Sequence, residues 1–247
     1  MINKDFEIIK LNNVTKIYKL YKNEKDRLLS VFKKNGEYNK RKALNNVSIS
    51  IKKGESVAIL GRNGTGKSTI LKLITGVAFP TFGIIRVNGR VSAMLELTAG
   101  FNAELTGRKN IYLRGNLLGA SKQEIKDAEE TIIEFAELGP YIDQPVRTYS
   151  SGMKARLGFA VNINVNPDIL IVDEALSVGD EKFRNKCNGK INELVNSGIT
   201  FLFVTHSTYT AQQFCKRGIV MRQGQIVYDG DIKDATSYYK KVLEDKC

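Results

Sequence analysis

An α/β fold is predicted for this 247-residue chain by three observations. Ser56–Leu60 is an unbroken apolar run that leads into a glycine loop, Gly61–Gly66. A helical segment follows, Lys67–Ile74, stopped by Gly76 with Pro80 beyond it. Ile169–Val172 and Thr200–Val204 are short apolar runs of the kind a parallel strand needs when both its faces are covered. The polar, helix-length stretch between them, Asp180–Asn196, makes this a strand–helix–strand unit.

The remaining elements follow in order. Phe6–Val14 mixes apolar and polar residues and reads as a strand. Lys22–Lys42 is rich in lysine and shows no clear strand pattern. Inside it, Leu28, Leu29 and Phe32 would form one apolar stripe on a short helix, and a solvated surface insertion is the plainer reading. Val47–Ile51 alternates like a strand and Lys53–Gly54 turns. Leu97–Asn164 reads as helical: Ser121 and Glu124 have capping-box spacing, and Ile125, Ala128, Ile132 and Ala136 recur at helical intervals until Gly139–Pro140 ends the element. Ile219–Met221 and Gln225–Tyr228, turning at Gly224, read as a hairpin.

Composition narrows the function classes. Hydrophobic residues make up 42% and charged residues 26%, which is ordinary for a globular domain. No apolar run approaches the roughly 20 residues a membrane helix needs, and the first residues have no signal-peptide pattern. A cytoplasmic location is therefore expected, with any membrane association made through a partner or a surface patch. Cys187, Cys215 and Cys247 show no metal or redox spacing and are expected to be reduced structural thiols. The net charge of +12 is uneven, since residues 1–42 carry twelve Lys/Arg against five Asp/Glu. Such a patch suits an anionic partner or a solubilising surface.

The chemistry begins at Gly61-Arg62-Asn63-Gly64-Thr65-Gly66-Lys67-Ser68, which fits the phosphate-loop pattern at every fixed position, with Thr69 next along the helix. The glycines let backbone N–H groups turn toward phosphate oxygens, and the helix start adds its positive end. Lys67 is expected on the β- and γ-phosphates of a nucleotide and the Ser68 hydroxyl on Mg2+. The run Ile169–Val172 delivers Asp173 and Glu174 to the carboxyl edge of the sheet. Asp173 is expected to hold the magnesium and Glu174 to polarise the attacking water; two solvated acids ending a strand is the alternative. His206, the only histidine, emerges in the same way after Thr200–Val204 and is expected to contact the γ-phosphate and hold that water. Tyr149-Ser150-Ser151-Gly152-Met153 precedes an apolar helix and offers a second anion site or a simple cap.

Taken together, these motifs resemble the ATP-binding cassette family over nearly the whole chain. The phosphate loop, a signature loop (YSSGM for the usual LSGGQ), the Asp173–Glu174 strand and His206 stand in family order. The resemblance implies a P-loop NTPase: a RecA-like mixed-sheet core with an inserted α-helical subdomain and an N-terminal antiparallel β region. It implies one ATPase domain over 1–247, with the core at about 1–96 and 165–247 and the helical subdomain at about 97–164. Tyr18 matches the aromatic that stacks on adenine, with Tyr21 a substitute and core packing the alternative. Asp180 matches the loop that touches a partner subunit. ATP and Mg2+ are the implied cofactors. A head-to-tail homodimer is implied, in which Ser150, Ser151 and Gly152 of one copy close over the ATP of the other. Two positions depart from the pattern. No glutamine stands in Met94–Phe101, so Glu96 is the candidate magnesium ligand there, and Met153 replaces the last signature residue. Gln144-Pro145-Val146 and the stretch from Val165 to Asp180 are similar to the cell-envelope polymer exporters, teichoic-acid export ATPases above all. O-antigen or capsular exporters, and a soluble cassette ATPase, are the alternatives. The likeness implies a membrane permease partner, indirect membrane contact at the cytoplasmic face and no nucleic acid. With only 41 residues after His206, no appended carbohydrate-binding domain is expected.

Overall fold

The computed structural model describes residues 6–21, 39–94, 97–173 and 179–244. Three strands, β1 (Glu7–Leu20), β2 (Asn39–Lys52) and β4 (Phe82–Val87), form an antiparallel sheet in the order β2-β1-β4. Six others form a mixed sheet in the order β5-β6-β7-β3-β8-β9: β5 (Val91–Ala93), β6 (Ile169–Asp173), β7 (Thr200–Thr205), β3 (Ser56–Leu60), β8 (Arg217–Arg222) and β9 (Gln225–Asp231). Every pairing in it is parallel except the β8–β9 hairpin. The helices are α1 (Lys67–Ile74), α2 (Gly107–Leu117), α3 (Lys122–Ala136), α4 (Ser151–Asn164), α5 (Glu181–Asn196), α6 (Thr208–Phe214) and α7 (Ile232–Glu244), with two short 3-10 turns at Gly139–Asp143 and Val146–Thr148.

Strand alternation divides the core in two. On β3, Val57 and Ile59 face one apolar cluster while Ala58 and Leu60 face the other. Ile169 and Ile171 of β6 part in the same way from Leu170 and Val172. The first cluster joins the mixed sheet to α1 (Ile70, Leu71, Leu73, Ile74) and to the inner face of the antiparallel sheet. The second joins it to α3, α4, α5, α6 and α7. At its centre Phe135, Phe159 and Phe183 pack with ring centroids 5.8–6.3 Å apart. Full burial on both faces is why β3, β6 and β7 are continuous apolar runs rather than alternating ones.

A buried polar knot ties the helices to the sheet. Asn162 of α4 accepts from the Arg114 guanidinium (3.2 Å) and donates to the Ala93 carbonyl (3.2 Å), and its own carbonyl accepts from Ser92 Oγ (2.9 Å). Arg114 also donates to the Ala99 carbonyl, which holds the stretch just after β5 against α2. Cys187 and Cys215 are buried, and burial pushes the Cys187 thiol up to about 12, so both act as apolar filler.

Three expectations change. The strand read at Phe6–Val14 continues to Leu20, because the later residues pair through their backbones with β2 rather than burying side chains. Residues 39–42 of the basic segment are not an irregular insertion but the first residues of β2. The stripe of Leu28, Leu29 and Phe32 lies outside the described residues, as does Cys247. Gly139–Pro140 does not end α3: the helix stops at Ala136, with Glu137 in left-handed backbone (φ +55°) as its cap, and Gly139–Pro140 opens the 3-10 turn that follows.

Candidate functional site

The register of the sheet assembles the edge where the site lies. Strand β7 sits between β6 and β3, with Asp173 opposite Val204 and Leu60 opposite Thr205. Asp173, His206 and Gly61 are thus the residues at which three adjacent parallel strands end or their loops begin. Carboxyl ends of parallel strands are where such sheets bind ligands.

The loop from Gly61 is shaped by its glycines. Gly64 (φ +82°) and Gly66 (φ +107°) lie in left-handed backbone. A Cβ on Gly66 would stand 2.7 Å from both the Ala43 carbonyl and Leu44 Cδ2. On Gly61 it would stand 2.6 Å from Thr65 Oγ1 and 2.9 Å from the Met221 carbonyl. The turn closes through Thr65, whose N–H and hydroxyl both donate to the Arg62 carbonyl (3.3 and 2.9 Å). Lys67 donates its ammonium to the Gly61 and Arg62 carbonyls (2.5 and 3.1 Å), which holds the charge over the loop. A glycine loop that leads into a helix start, with one ammonium held over it, has the donor chemistry of a phosphate receptor.

A cleft of about 360 Å3 adjoins this loop. Asn63, Gly64, Gly66, Lys67, Ser68 and Thr69 line one side of it, and Tyr18 with Arg41 the other. Tyr18 belongs to neither apolar cluster, which removes core packing as the reason for it. Its ring instead carries the Lys16 ammonium 5.1 Å from the centroid. Tyr21 does not line the cleft. Arg41 and Lys72 are additions that the sequence reading missed. Arg41 was hidden in a lysine-rich segment with no strand pattern, and only the pairing of Tyr18 with Arg41 across β1 and β2 brings it to the loop.

Asp173 and His206 line a second cavity, of about 300 Å3, together with Asn188, Thr205, Ser207 and Phe203. Three hydroxyls, those of Thr205, Ser207 and Thr210, stand there in addition to the acid and the imidazole. Ser207 caps α6, accepting at Oγ from the Thr210 N–H (3.3 Å). Glu174 and Glu96 lie outside the described residues, between positions whose places are known: Asp173 and Gly179 for the first, Met94 and Leu97 for the second.

Ser150, Ser151 and Gly152 line neither cavity. Ser150 is the N-cap of α4, its Oγ accepting from the Met153 N–H (3.2 Å). Tyr149 anchors the approach to it, buried and donating its hydroxyl to the Tyr141 carbonyl (2.6 Å). Burial raises the Tyr149 pKa, so the phenol stays protonated. Gly152 is different: a Cβ there would meet nothing nearer than Ser150 Oγ at 3.8 Å. Its own chain has room for a larger residue at that position.

Asp180 is the N-cap of α5. It accepts from the Phe183 N–H (2.9 Å) and from Arg156 of α4 (2.8 Å), and these bonds, the backbone one first, hold its carboxyl below the usual range. Arg156 also reaches Glu137 (3.4 Å) and lies over the Phe183 ring, 4.6 Å from its centroid. This arginine, unnoticed in the sequence, joins the helix that starts at Ser150 to the one that starts after Asp180.

The comparisons with known proteins agree with this geometry. The family model described as ABC transporter matches residues 44–177. A Bacillus cereus protein, "Teichoic acids export ATP-binding protein TagH", is 45% identical over 237 residues, covering 96% of this chain and 43% of that protein. The Klebsiella pneumoniae "O-antigen export system ATP-binding protein RfbB" is 43% identical over 242 residues, 96% of this chain and 98% of that one. The chain spans less than half the length of the Bacillus relatives it matches. Among solved structures, the dimeric structure of MJ0796, described as a bacterial ABC transporter cassette, superposes with a TM-score of 0.70 at 26% identity, over 91% of this chain and 98% of that one. The mixed sheet, the antiparallel N-terminal sheet and the helices between β5 and β6 make the P-loop NTPase fold of such cassettes. By sequence and by fold, the chain belongs to the ABC transporter family.

Proposed function

We propose that this chain is the ATP-binding and ATP-hydrolysing subunit of an exporter that moves a lipid-linked cell-envelope polymer, a teichoic acid first, across the membrane. The observation that carries the ATPase reading is the shared carboxyl edge of β6, β7 and β3, where Asp173, His206 and the Gly61 loop emerge side by side; the polymer rests on the likeness to the TagH and RfbB proteins. We read 1–247 as one ATPase domain, with residues 97–164 as its helical subdomain.

In this reading Tyr18 stacks on the adenine and the loop amides of Arg62–Thr69 surround the phosphates. Lys67 moves its ammonium from the loop carbonyls to the β- and γ-oxygens. Ser68 and Asp173 supply hard oxygen ligands for Mg2+, with Glu96 a third. Among the described residues no cluster of three or more His, Cys, Asp or Glu could hold a metal, and a magnesium ion at Ser68 and Asp173 would draw its further oxygen ligands from the nucleotide and water. An ion held by these residues would supply positive charge beside the phosphates. Glu174 takes a proton from the attacking water, and His206 holds that water and the γ-phosphate. Ser150, Ser151 and Gly152 of a second copy, with Asp180 at the contact, close the site head to tail. Among the described residues no helix is long and apolar enough to cross a membrane, and a separate permease is the partner that would provide the path. The chain would then work peripherally, at the cytoplasmic face.

Substituting Glu174→Gln is expected to abolish ATP turnover while leaving ATP binding intact; unchanged turnover would remove Glu174 as the base. Depleting the protein in its host is expected to strand the polymer inside the cell, and the chemistry of that polymer separates teichoic acid from the second reading. That reading is O-antigen or capsular polysaccharide export, supported by the 43% identity to the Klebsiella protein.

A further inference from the structure

The antiparallel sheet has an outer face that the nucleotide site does not use. Its three strands carry eight lysines and arginines, of which Arg41 belongs to the nucleotide cleft, against one acid, Glu7. No Asp or Glu occurs between Glu55 and Glu96, so the loop leading into β4 is free of acids too. On this cationic ground stand four large apolar side chains in the open: Val77 (75% exposed), Phe79 (76%), Phe82 (64%) and Ile84 (57%). Phe82, Ile84 and Arg86 alternate along β4, so they share one face of an edge strand. Lys16 donates to the Phe79 carbonyl (2.7 Å), and Phe82 pairs with Thr15 on β1, which brings the loop and the strand into one patch. Beside it, Lys10, Asn12, Ile84 and Arg86 line a groove of about 210 Å3. Glu7 holds Lys10 at 2.7 Å and accepts from Ser50 (2.6 Å), so the one acid is already engaged.

We infer that this face docks directly on an anionic lipid bilayer, with Phe79, Phe82 and Ile84 entering the headgroup boundary while Lys10, Lys16 and Arg86 meet lipid phosphates. Charge complementarity selects a polyanion, and the apolar side chains select the bilayer among polyanions. A polymer or nucleic acid surrounded by water gives Val77 and Ile84 nothing to bury against. Aromatic and aliphatic side chains at the acyl boundary with cations above it are the composition of interfacial anchors. The inference stands on this patch alone and requires neither a permease nor ATP turnover.

The whole chain contains no tryptophan, so Phe79→Trp and Phe82→Trp each place a single reporter in the patch. Tyr141→Trp, on an exposed aromatic in the helical region, is the control. With vesicles of phosphatidylcholine plus phosphatidylglycerol, the two patch reporters are expected to shift to the blue and to be quenched by brominated acyl chains. The control should do neither, and pure phosphatidylcholine should have little effect. Phe79→Ser with Phe82→Thr should weaken co-sedimentation with the anionic vesicles by about tenfold or more, as the loss of two buried rings implies. Arg86→Gln with Lys10→Gln should weaken it several-fold, and added salt should mimic them. Nucleotide binding and thermal midpoint serve as folding checks. No blue shift, or unchanged vesicle binding by the phenylalanine pair, would overturn the inference. Equal, ring-independent affinity for single-stranded DNA would overturn it too, by showing a general polyanion surface.

Discussion

At the scale of single residues, the cleft beside the phosphate loop separates positions that hold the fold from positions that wait for a ligand. Gly66 is set by the backbone it nearly touches, and any side chain there would collide with the Ala43 carbonyl before a nucleotide arrived. Tyr18 is set by nothing in the core. Tyr18→Ala is therefore expected to lower ATP affinity by about tenfold, the worth of one stacked base, with little change in thermal midpoint. Tyr21→Ala should leave affinity unchanged. Titration with a fluorescent ATP analogue checks both, and equal losses would mean that the adenine lies elsewhere. The phosphate loop was legible because its spacing encodes backbone geometry directly. Arg41 was not, because its place depends on which β1 residue lies opposite it, and single-strand patterns carry no register.

Elements that were legible carry their boundaries as local chemistry. Helix α3 starts where Ser121 and Glu124 cap each other reciprocally, with the Ser121 N–H donating to Glu124 (2.8 Å) and the Glu124 N–H to Ser121 Oγ (3.2 Å). Ser121→Ala should cost about 1 kcal/mol of stability, read from denaturant midpoints. The backbone and hydroxyl of Ser121, then Arg90, hold the Glu124 carboxyl at about 2, below its ordinary 4.5. Its stabilising effect is thus complete above 4.5 and fades as the pH falls toward the folded value. The stability gap between Glu124→Gln and the parent should narrow in the same window. In the core, Phe159→Ala removes the ring shared by Phe135 and Phe183 and should cost about 3–5 kcal/mol. Elements that escaped the sequence lack such marks. Strand β4 shows apolar side chains to solvent, which blurs its alternation, and β5 has three residues. Helix α7 follows β9 with no residue between them, although Ile232, Ala235 and Tyr239 give it a buried stripe.

For the molecule as a whole, the two cavities and the Ser150–Gly152 turn are separate features of one chain. A second copy is the means by which they would combine. Gly152→Asp tests this cleanly, because its own fold leaves the side chain room. The variant should fold and bind ATP as the parent does. In the Glu174→Gln background, ATP should double the mass measured by light scattering, and the added Gly152→Asp should cancel that doubling. A dimer that survives Gly152→Asp would rule out closure through the signature turn.

The shared edge of β6, β7 and β3 also sets how the chain tolerates changes in length. One residue inserted within Ser56–Leu60 would exchange the side chains of the two apolar clusters and displace the start of the glycine loop by about 3.3 Å relative to Asp173 and His206. The 3-10 turns at 139–148 are pinned in a different way, since Ile142 and Val146 are buried and the Val146 and Arg147 N–H groups donate to the Leu105 and Ala103 carbonyls (2.9 and 2.8 Å). Reading-frame-preserving insertions and deletions within the parallel strands should accordingly abolish ATP turnover, whichever residue is added.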